Sequence, residues 1–567
     1  MHENQAAATL SSLMEEVWEA RMRDDPIFAT MCGDHRYNDR LPEVSEAAAQ
    51  DWLVQLRGYR ERLDTIDQTG LAQDAHLTYQ CLARELDDEI ADLSFGLRRM
   101  PLAKAFGFHQ TFSDLPLYTP FQNTEDYERY LVRLRGLPAY IDGYLDLTRC
   151  GLQTGHVQPR AAMEGVDRSV RGLITDDPAE NLLFEPFTHF PQAIGEAERA
   201  RLREAGAAAI REAVNPAYRK LADFLTDTYL PAARASVGAS ALPDGDAFYA
   251  HCVRKYTTLD LTPQQVHETG LAEVARIRAE MDSVIRRVGF KGDFRAFVTF
   301  LRTDARFYAA TPEALLQISA LVLKRMDGEL PTLFSQLPRT PYGIREVPAY
   351  QAPYTTTAYY FPAPGDSTKA GFYYVNTYDL KSRPLYEVEA LSLHEAVPGH
   401  HLQLALQQEL DLPAFRRFGG VTAFVEGWAL YAERLGLETG FYTDPYSDFG
   451  RLTYEIWRAC RLVVDTGLHA MGWTRQQAID YMAENSALSL LNIANEVDRY
   501  IAWPGQALAY KIGELKIREL RAFAEQILGP RFDRRMFHKV VLEHGSIPLQ
   551  ALEARVRAWV AEEARQD

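Results

Sequence analysis

Residues 391–403 read LSLHEAVPGHHLQ, a histidine with a glutamate beside it and two adjacent histidines six and seven positions further on. In a His-Glu-x-x-His helix both histidines share one face and can bind one zinc ion, while the glutamate serves as general base. Here the second histidine comes late. In a regular helix His400 points about 120° away from His394, and His401 lies about 10 Å further along the axis. Pro398 supplies the remedy: it lacks an amide hydrogen and clashes with the preceding turn, so the helix must bulge, and Gly399 can absorb unusual dihedrals. With Pro398 and Gly399 looped out, the remainder reads HEAVHHLQ. That puts His394, Glu395 and His400 in the standard spacing and leaves His401 to orient ligands or face substrate; a different bulge would exchange His400 for His401.

A catalytic zinc takes three protein ligands and keeps a position open. Glu426 is the candidate third ligand. It lies in GGVTAFVEGWALYAERLG (419–436), an apolar, helix-forming stretch in which an unpaired carboxylate would be costly without a metal. Gly427 beside it permits another helix to approach closely, and Glu433, two turns on, either orients a ligand or is solvated. In AWPGQALAYKIGELKI (502–517), Gln506 and Tyr510 share a helix face, and the Tyr510 hydroxyl can donate to a developing oxyanion, an effect of about 3 kcal/mol in other hydrolases. Lys511 and Tyr500 are candidates for binding a substrate carboxylate. In WRACRLVVDTGLHAMGW (457–473), Arg461, Asp465 and His469 recur at four-residue spacing. Zinc-bound histidines hand their other ring nitrogen to a carboxylate, which makes Asp465 a candidate, with His469 beside it; an Asp465–Arg461 pair within the helix explains the pattern equally well. GFYYVNT (371–377) reads as a strand, with Tyr374 and Asn376 as candidate substrate contacts. Either its edge accepts an extended peptide by main-chain hydrogen bonding, or it is a buried hairpin that supports the site. The other histidines, His109, His156, His189, His251, His267, His538 and His544 among them, lack partner spacing and read as structural.

The elements that carry these residues are mostly helices. Runs at 45–62, 75–97 and 197–225 show apolar residues every three or four positions between charged faces. Proline and glycine clusters at 101, 116–120, 178–191 and 243–245 read as loops, the last as a domain boundary. Between Pro331 and Pro384 the texture turns to Tyr, Thr, Val and Pro without helical period, which predicts a small sheet or hairpin just before the metal helix. The expected organisation is a helical half over 1–245 and a catalytic half over 246–567. The latter holds the β element at about 345–380, the metal helices at 385–440 and further helices at 450–567.

Composition removes several function classes. Hydrophobic residues at 47 % and charged residues at 25 % match a soluble globular chain. A formal charge of −17 without a Lys/Arg-dense run argues against nucleic acid and anionic membranes as partners. The N-terminal residues carry acids where a signal peptide needs a basic patch and an apolar run. Five widely spaced cysteines without a CxxC pair fit thiols in a reducing compartment, so a cytoplasmic location is expected.

HEAVPGHH, followed by FVEGWALYAE and WPGQALAYKIGELKI, resembles domain-of-unknown-function family 885, bacterial proteins placed among the zincin metallopeptidases. The resemblance runs from DPIFATMCGDHRYNDRLP (25–42) to Ile547 and is most specific in the last third. It implies a gluzincin-type site with one Zn²⁺ held by His394, His400 and Glu426 and with Glu395 as base. It further implies a mainly α zincin body with a deep cleft between two helical halves, similar to thimet and angiotensin-converting-type oligopeptidases. The expected activity is zinc-dependent hydrolysis of amide bonds in short peptides. Two alternatives stand beside it: hydrolysis of a non-peptide amide or ester metabolite, and a non-catalytic helical binding protein stabilised by zinc.

Overall fold

The computed structural model describes residues 2–104, 106–348, 352–353, 355–365 and 370–565. The chain is mainly helical and divides into two compact units. One holds the chain up to Gly245 together with the short segment at Pro364; the other holds Asp246–Ala363 and the chain after that segment.

In the first unit the periodic runs form the helices Glu46–Asp64 and Gln73–Ser94 and the passage Glu196–Ala209, Ile210–Val214 and Asn215–Phe224, whose middle turn is π-helical. Its longest helix, Thr124–Thr154, begins at a capping box. The Asn123 side chain accepts from the Asp126 amide, and Asp126 returns a bond to the cap, so two amides that a helix start leaves without partners are satisfied.

The second unit is built around the helix Pro445–Ala470, most of which is buried. It packs along Pro263–Arg287 where Gly270 leaves room: a Cβ there would lie 2.7 Å from Leu462 Cβ. The helix Thr422–Leu435 crosses Ala509–Leu528 just as closely. A Cβ on Gly427 would come 2.5 Å from the Gly513 carbonyl carbon, and one on Gly513 would come 1.9 Å from the Ala423 oxygen. Backbone therefore touches backbone, which sets Tyr510, near the start of one helix, beside Glu426 on the other.

The small β element is a three-stranded sheet in the order 342–346, 371–375, 358–361, with the first pair parallel and the second antiparallel. Residues 349–351, 354 and 366–369 of the expected β region lie outside the described residues. The strand Gly371–Val375 is central, so both its edges are already paired; of the two readings of 371–377, the one in which its edge receives a peptide as a new strand is excluded. Tyr374 stacks on Tyr359 with ring centroids 4.9 Å apart, and packs with Val347 and Ala352. Asn376 is fully buried and spends its amide on the carbonyls of Ala352 and Thr356. Both hold the sheet.

None of the five cysteines is in a disulfide. No helix among the described residues is long and apolar enough to cross a membrane.

The close crossing at residues 427 and 513 makes a stability prediction. Gly513→Ala should destabilise the protein by about 1–3 kcal/mol, as overpacking does, in chemical denaturation followed by tryptophan fluorescence. An unchanged midpoint would show that the two helices can part without cost.

Candidate metal centre

His394 and His400 lie on separate helices rather than on one bulged helix. The helix Val388–Glu395 stops, Ala396 to Gly399 form a tight turn, and a new helix runs over His400–Glu409. The sequence predicts the interruption at Pro398 and Gly399, but as a bulge. The chain breaks completely because Gly399 turns directly over the end of the first helix: a Cβ there would lie 1.9 Å from the His394 carbonyl oxygen. His401 N donates back to Ala396 O at 3.1 Å, and the indole of Trp428 donates to Pro398 O at 2.9 Å, fixing the turn from the buried side.

The break swings His400 toward His394. Their rings are nearly perpendicular, with centroids 4.8 Å apart. Glu426 Oε2 sits 3.5 Å from His400 Nε2 and 3.8 Å from His394 Nε2, and one ligand atom from each of the three residues falls within 4.8 Å of the others. Tetrahedral zinc with bonds of about 2.0–2.2 Å spaces its ligand atoms about 3.3–3.6 Å apart. Glu426 Oε2 is buried and has no hydrogen-bond partner, a costly state for a carboxylate unless a cation completes it. The donor set therefore fits a zinc-type ion held by His394, His400 and Glu426. Burial pushes the Glu426 carboxyl up, but His400, Arg461 and Tyr510 together pull it below its ordinary value.

Around this trio the other groups fall into place. His394 Nδ1 bonds Glu433 Oε1 at 2.8 Å, which leaves Nε2 as the free lone pair for a metal. Glu433 is itself buried, and burial pushes its carboxyl up to about 8 despite Arg458, whose Nη2 lies 3.4 Å away. Glu395 is half-buried on the turn side of the trio; its Oε2 accepts the Tyr360 amide at 3.0 Å, and burial, aided by the Glu426 charge, raises its carboxyl to about 7. Tyr510 is half-exposed beside Glu426, with the Arg461 guanidinium 4.2 Å from its ring centroid.

Several expected site residues are engaged elsewhere. His401 is buried, its Nδ1 bonded to the Tyr360 hydroxyl at 2.8 Å and its ring 4.8 Å from that of Tyr342, so it faces the sheet and stands apart from the trio. Asp465 bonds neither His394 nor His400; the carboxylate behind His394 is that of Glu433. Asp465 accepts from the Tyr249 hydroxyl at 2.6 Å and the Gly505 amide at 3.1 Å, tying the 505–508 turn to the core helix. Nor does it pair with Arg461, which bonds the Tyr500 hydroxyl and Glu496. His469 bonds the Tyr500 carbonyl. Lys511 is fully buried among Glu273, Glu455 and Glu514, all within 3.0 Å, and has no capacity left for a substrate carboxylate. Tyr500 is buried against Trp457 and Arg461, and Gln506 accepts from Arg499. His538, expected to be structural, is a core residue bonded to Tyr431 and the Leu333 carbonyl.

Tyr360, Arg458 and Trp428 are the contributors that the sequence reading did not single out.

The family model described as bacterial protein of unknown function (DUF885) matches residues 26–556. The chain belongs to this family. Among solved structures it is similar to a protein from Colwellia psychrerythraea described as a "putative lipoprotein", with 26 % identity, a TM-score of 0.90, and coverage of 99 % of this chain and 100 % of that one. It is also similar in fold to a "putative lipoprotein of unknown function" from Shewanella oneidensis, with 18 % identity, a TM-score of 0.73, and coverage of 96 % and 99 %. No curated protein matches the chain.

The hydrogen bond behind His394 predicts that Glu433→Gln weakens zinc affinity by about 10–100-fold, measured by competition with a chromophoric chelator. His401→Ala should leave that affinity unchanged. The reverse pattern would assign the second ligand to His401.

Proposed function

We propose that the protein is a zinc-dependent hydrolase of amide bonds in short peptides. The observation that carries this reading is the trio of His394, His400 and Glu426 with Glu395 beside it, a half-buried carboxylate with no cation paired to it. A structural zinc site is normally closed by four protein ligands, whereas this one offers three and a neighbouring base, the pattern of a catalytic site.

When bound, the ion supplies Lewis-acid polarisation of a carbonyl and acidification of a water molecule. The chain's own groups do the rest. Glu395, held by the Tyr360 amide, takes a proton from the attacking water on its carboxylate and passes it to the leaving amine. The Tyr510 hydroxyl, backed by Arg461, donates a hydrogen bond to the oxyanion as the carbonyl carbon becomes tetrahedral. Glu433 keeps the His394 ring in one orientation and tautomer. No covalent intermediate with the protein is required.

For the compartment, the "putative lipoprotein" descriptions of the two structural relatives favour an extracytoplasmic setting over the cytoplasmic one expected from composition.

Two outcomes follow. Glu395→Gln should retain zinc and lose at least about 10²-fold in turnover, read by mass-spectrometric cleavage profiling of a mixture of short peptides with free and blocked termini. Tyr510→Phe should lower kcat by about 10²–10³ with little change in metal content. A zinc-loaded wild type that cuts no peptide would favour a non-peptide amide or ester as substrate. If Glu395→Gln cuts as fast as the wild type, the assigned base is wrong.

A further inference from the structure

At the start of the metal-bearing 388–395 helix the second unit encloses another cavity, of about 50 Å³, that the mechanism above does not use. Its wall carries Arg302, Lys381 and Arg383 against a single carboxyl, that of Glu387. Arg383 donates Nε to the Asn376 carbonyl and Nη1 to the Ser382 carbonyl, and Arg302 donates to the Leu488 carbonyl. Among the described residues none of the three cations has a carboxylate at ion-pair distance. Buried Arg451 and Arg461, by contrast, are ion-paired with Glu455 and Glu496. Arg383 is half-buried and burial lowers its pKa, the mark of a cation that has lost water without gaining a paired anion, while Arg302 and Lys381 reach the cavity from exposed positions. The one acid is suited to sit near an anion, since burial pushes Glu387 up to about 7 and lets it carry a proton. Tyr454 also lines the cavity, its buried hydroxyl close enough to Glu387 to pull that carboxyl down in part. The first residues of the helix Leu490–Ala502 and its Ser489 cap border the same space, adding the positive end of a helix dipole.

Two rulers relate this cavity to the metal centre. Glu387 precedes His394 by seven residues along the helix, about 10 Å at 1.5 Å per residue. Thr357, also in the wall, precedes Tyr360, whose amide holds Glu395, by three residues of extended chain, again about 10 Å. An extended peptide spans that distance in about three residues.

We propose that this cavity holds the free carboxylate end of the substrate, about three residues from the bond that is cut, which makes the enzyme act from peptide ends. The proposal rests on the hydrolase reading above, so its test is one of binding and not of turnover. Acetyl-tetraalanine as the free acid, and the same peptide as its terminal amide, are titrated calorimetrically into the zinc-loaded Glu395→Gln protein. The acid should bind at least about tenfold tighter than the amide. Arg383→Met should remove that preference and leave amide binding unchanged. Arg302→Met, at an exposed position that does not endanger folding, should reduce it, and zinc content reports that both variants are folded. Equal binding of acid and amide, or a preference that survives both substitutions, overturns the proposal. An amide-blocked peptide with a terminal aspartate that binds as tightly as the free acid overturns the assignment to the chain end. Failure of the wild type to cleave any peptide would count against the hydrolase reading, while the acid-over-amide ratio would still decide the cavity.

Discussion

The Glu426 carboxylate, buried within 4 Å of two histidine nitrogens and hydrogen-bonded through Oε2 to neither, is the constraint on which the rest of the second unit depends. An ionised oxygen in that position needs a positive charge among the three ligand atoms. The surrounding chain is organised to bring them there. The break at Ala396–Gly399 turns His400 back toward His394, and the glycine contact between Gly427 and Gly513 lets the Glu426 helix lie directly on the helix that carries Tyr510. Each requirement is steric before it is chemical: Gly399 has no room for a Cβ, and neither do Gly427 and Gly513.

Behind the trio the core is charged, which is expensive unless every group is paired. The 445–470 helix supplies Arg451, Glu455, Arg458 and Arg461 from buried positions, and the 509–528 helix adds Lys511 and Glu514. Glu455 is bonded by Lys511, Arg276 and Arg451, so removing any one partner leaves a buried charge exposed to the others. This lattice fixes the ring of Tyr510 and the carboxylate of Glu433 through Arg461 and Arg458, and it explains why residues with chemical side chains so near the metal trio are not themselves available to substrate.

The helical class was legible because apolar residues recur every three or four positions over long runs, as at 46–64 and 73–94. The spacing of HEAVPGHH with a downstream glutamate also pointed to His394, His400 and Glu426, since Pro398 and Gly399 cannot sit inside a regular helix. Partner choice was not legible. Asp465 and Arg461 share a helix face in sequence, yet each bonds a residue from another element, Tyr249 and Glu496, because a buried helix is surrounded by neighbours on all sides. Lys511 read as a cation available to a substrate carboxylate, but the carboxylates that bury it come from residues 273, 455 and 514, a convergence that only the fold creates. The strand at 371–375 was visible from its Tyr and Val content, whereas its central place in the sheet depends on strands more than ten residues away on the N-terminal side.

The zinc centre is tested most directly by a crystal structure of the zinc-loaded protein with anomalous data collected on both sides of the zinc absorption edge. One strong peak is expected within bonding distance of His394 Nε2, His400 Nε2 and a Glu426 carboxylate oxygen, with a position left open toward Glu395. A peak liganded by His401, a site closed by a fourth protein ligand, or no peak at all would contradict it.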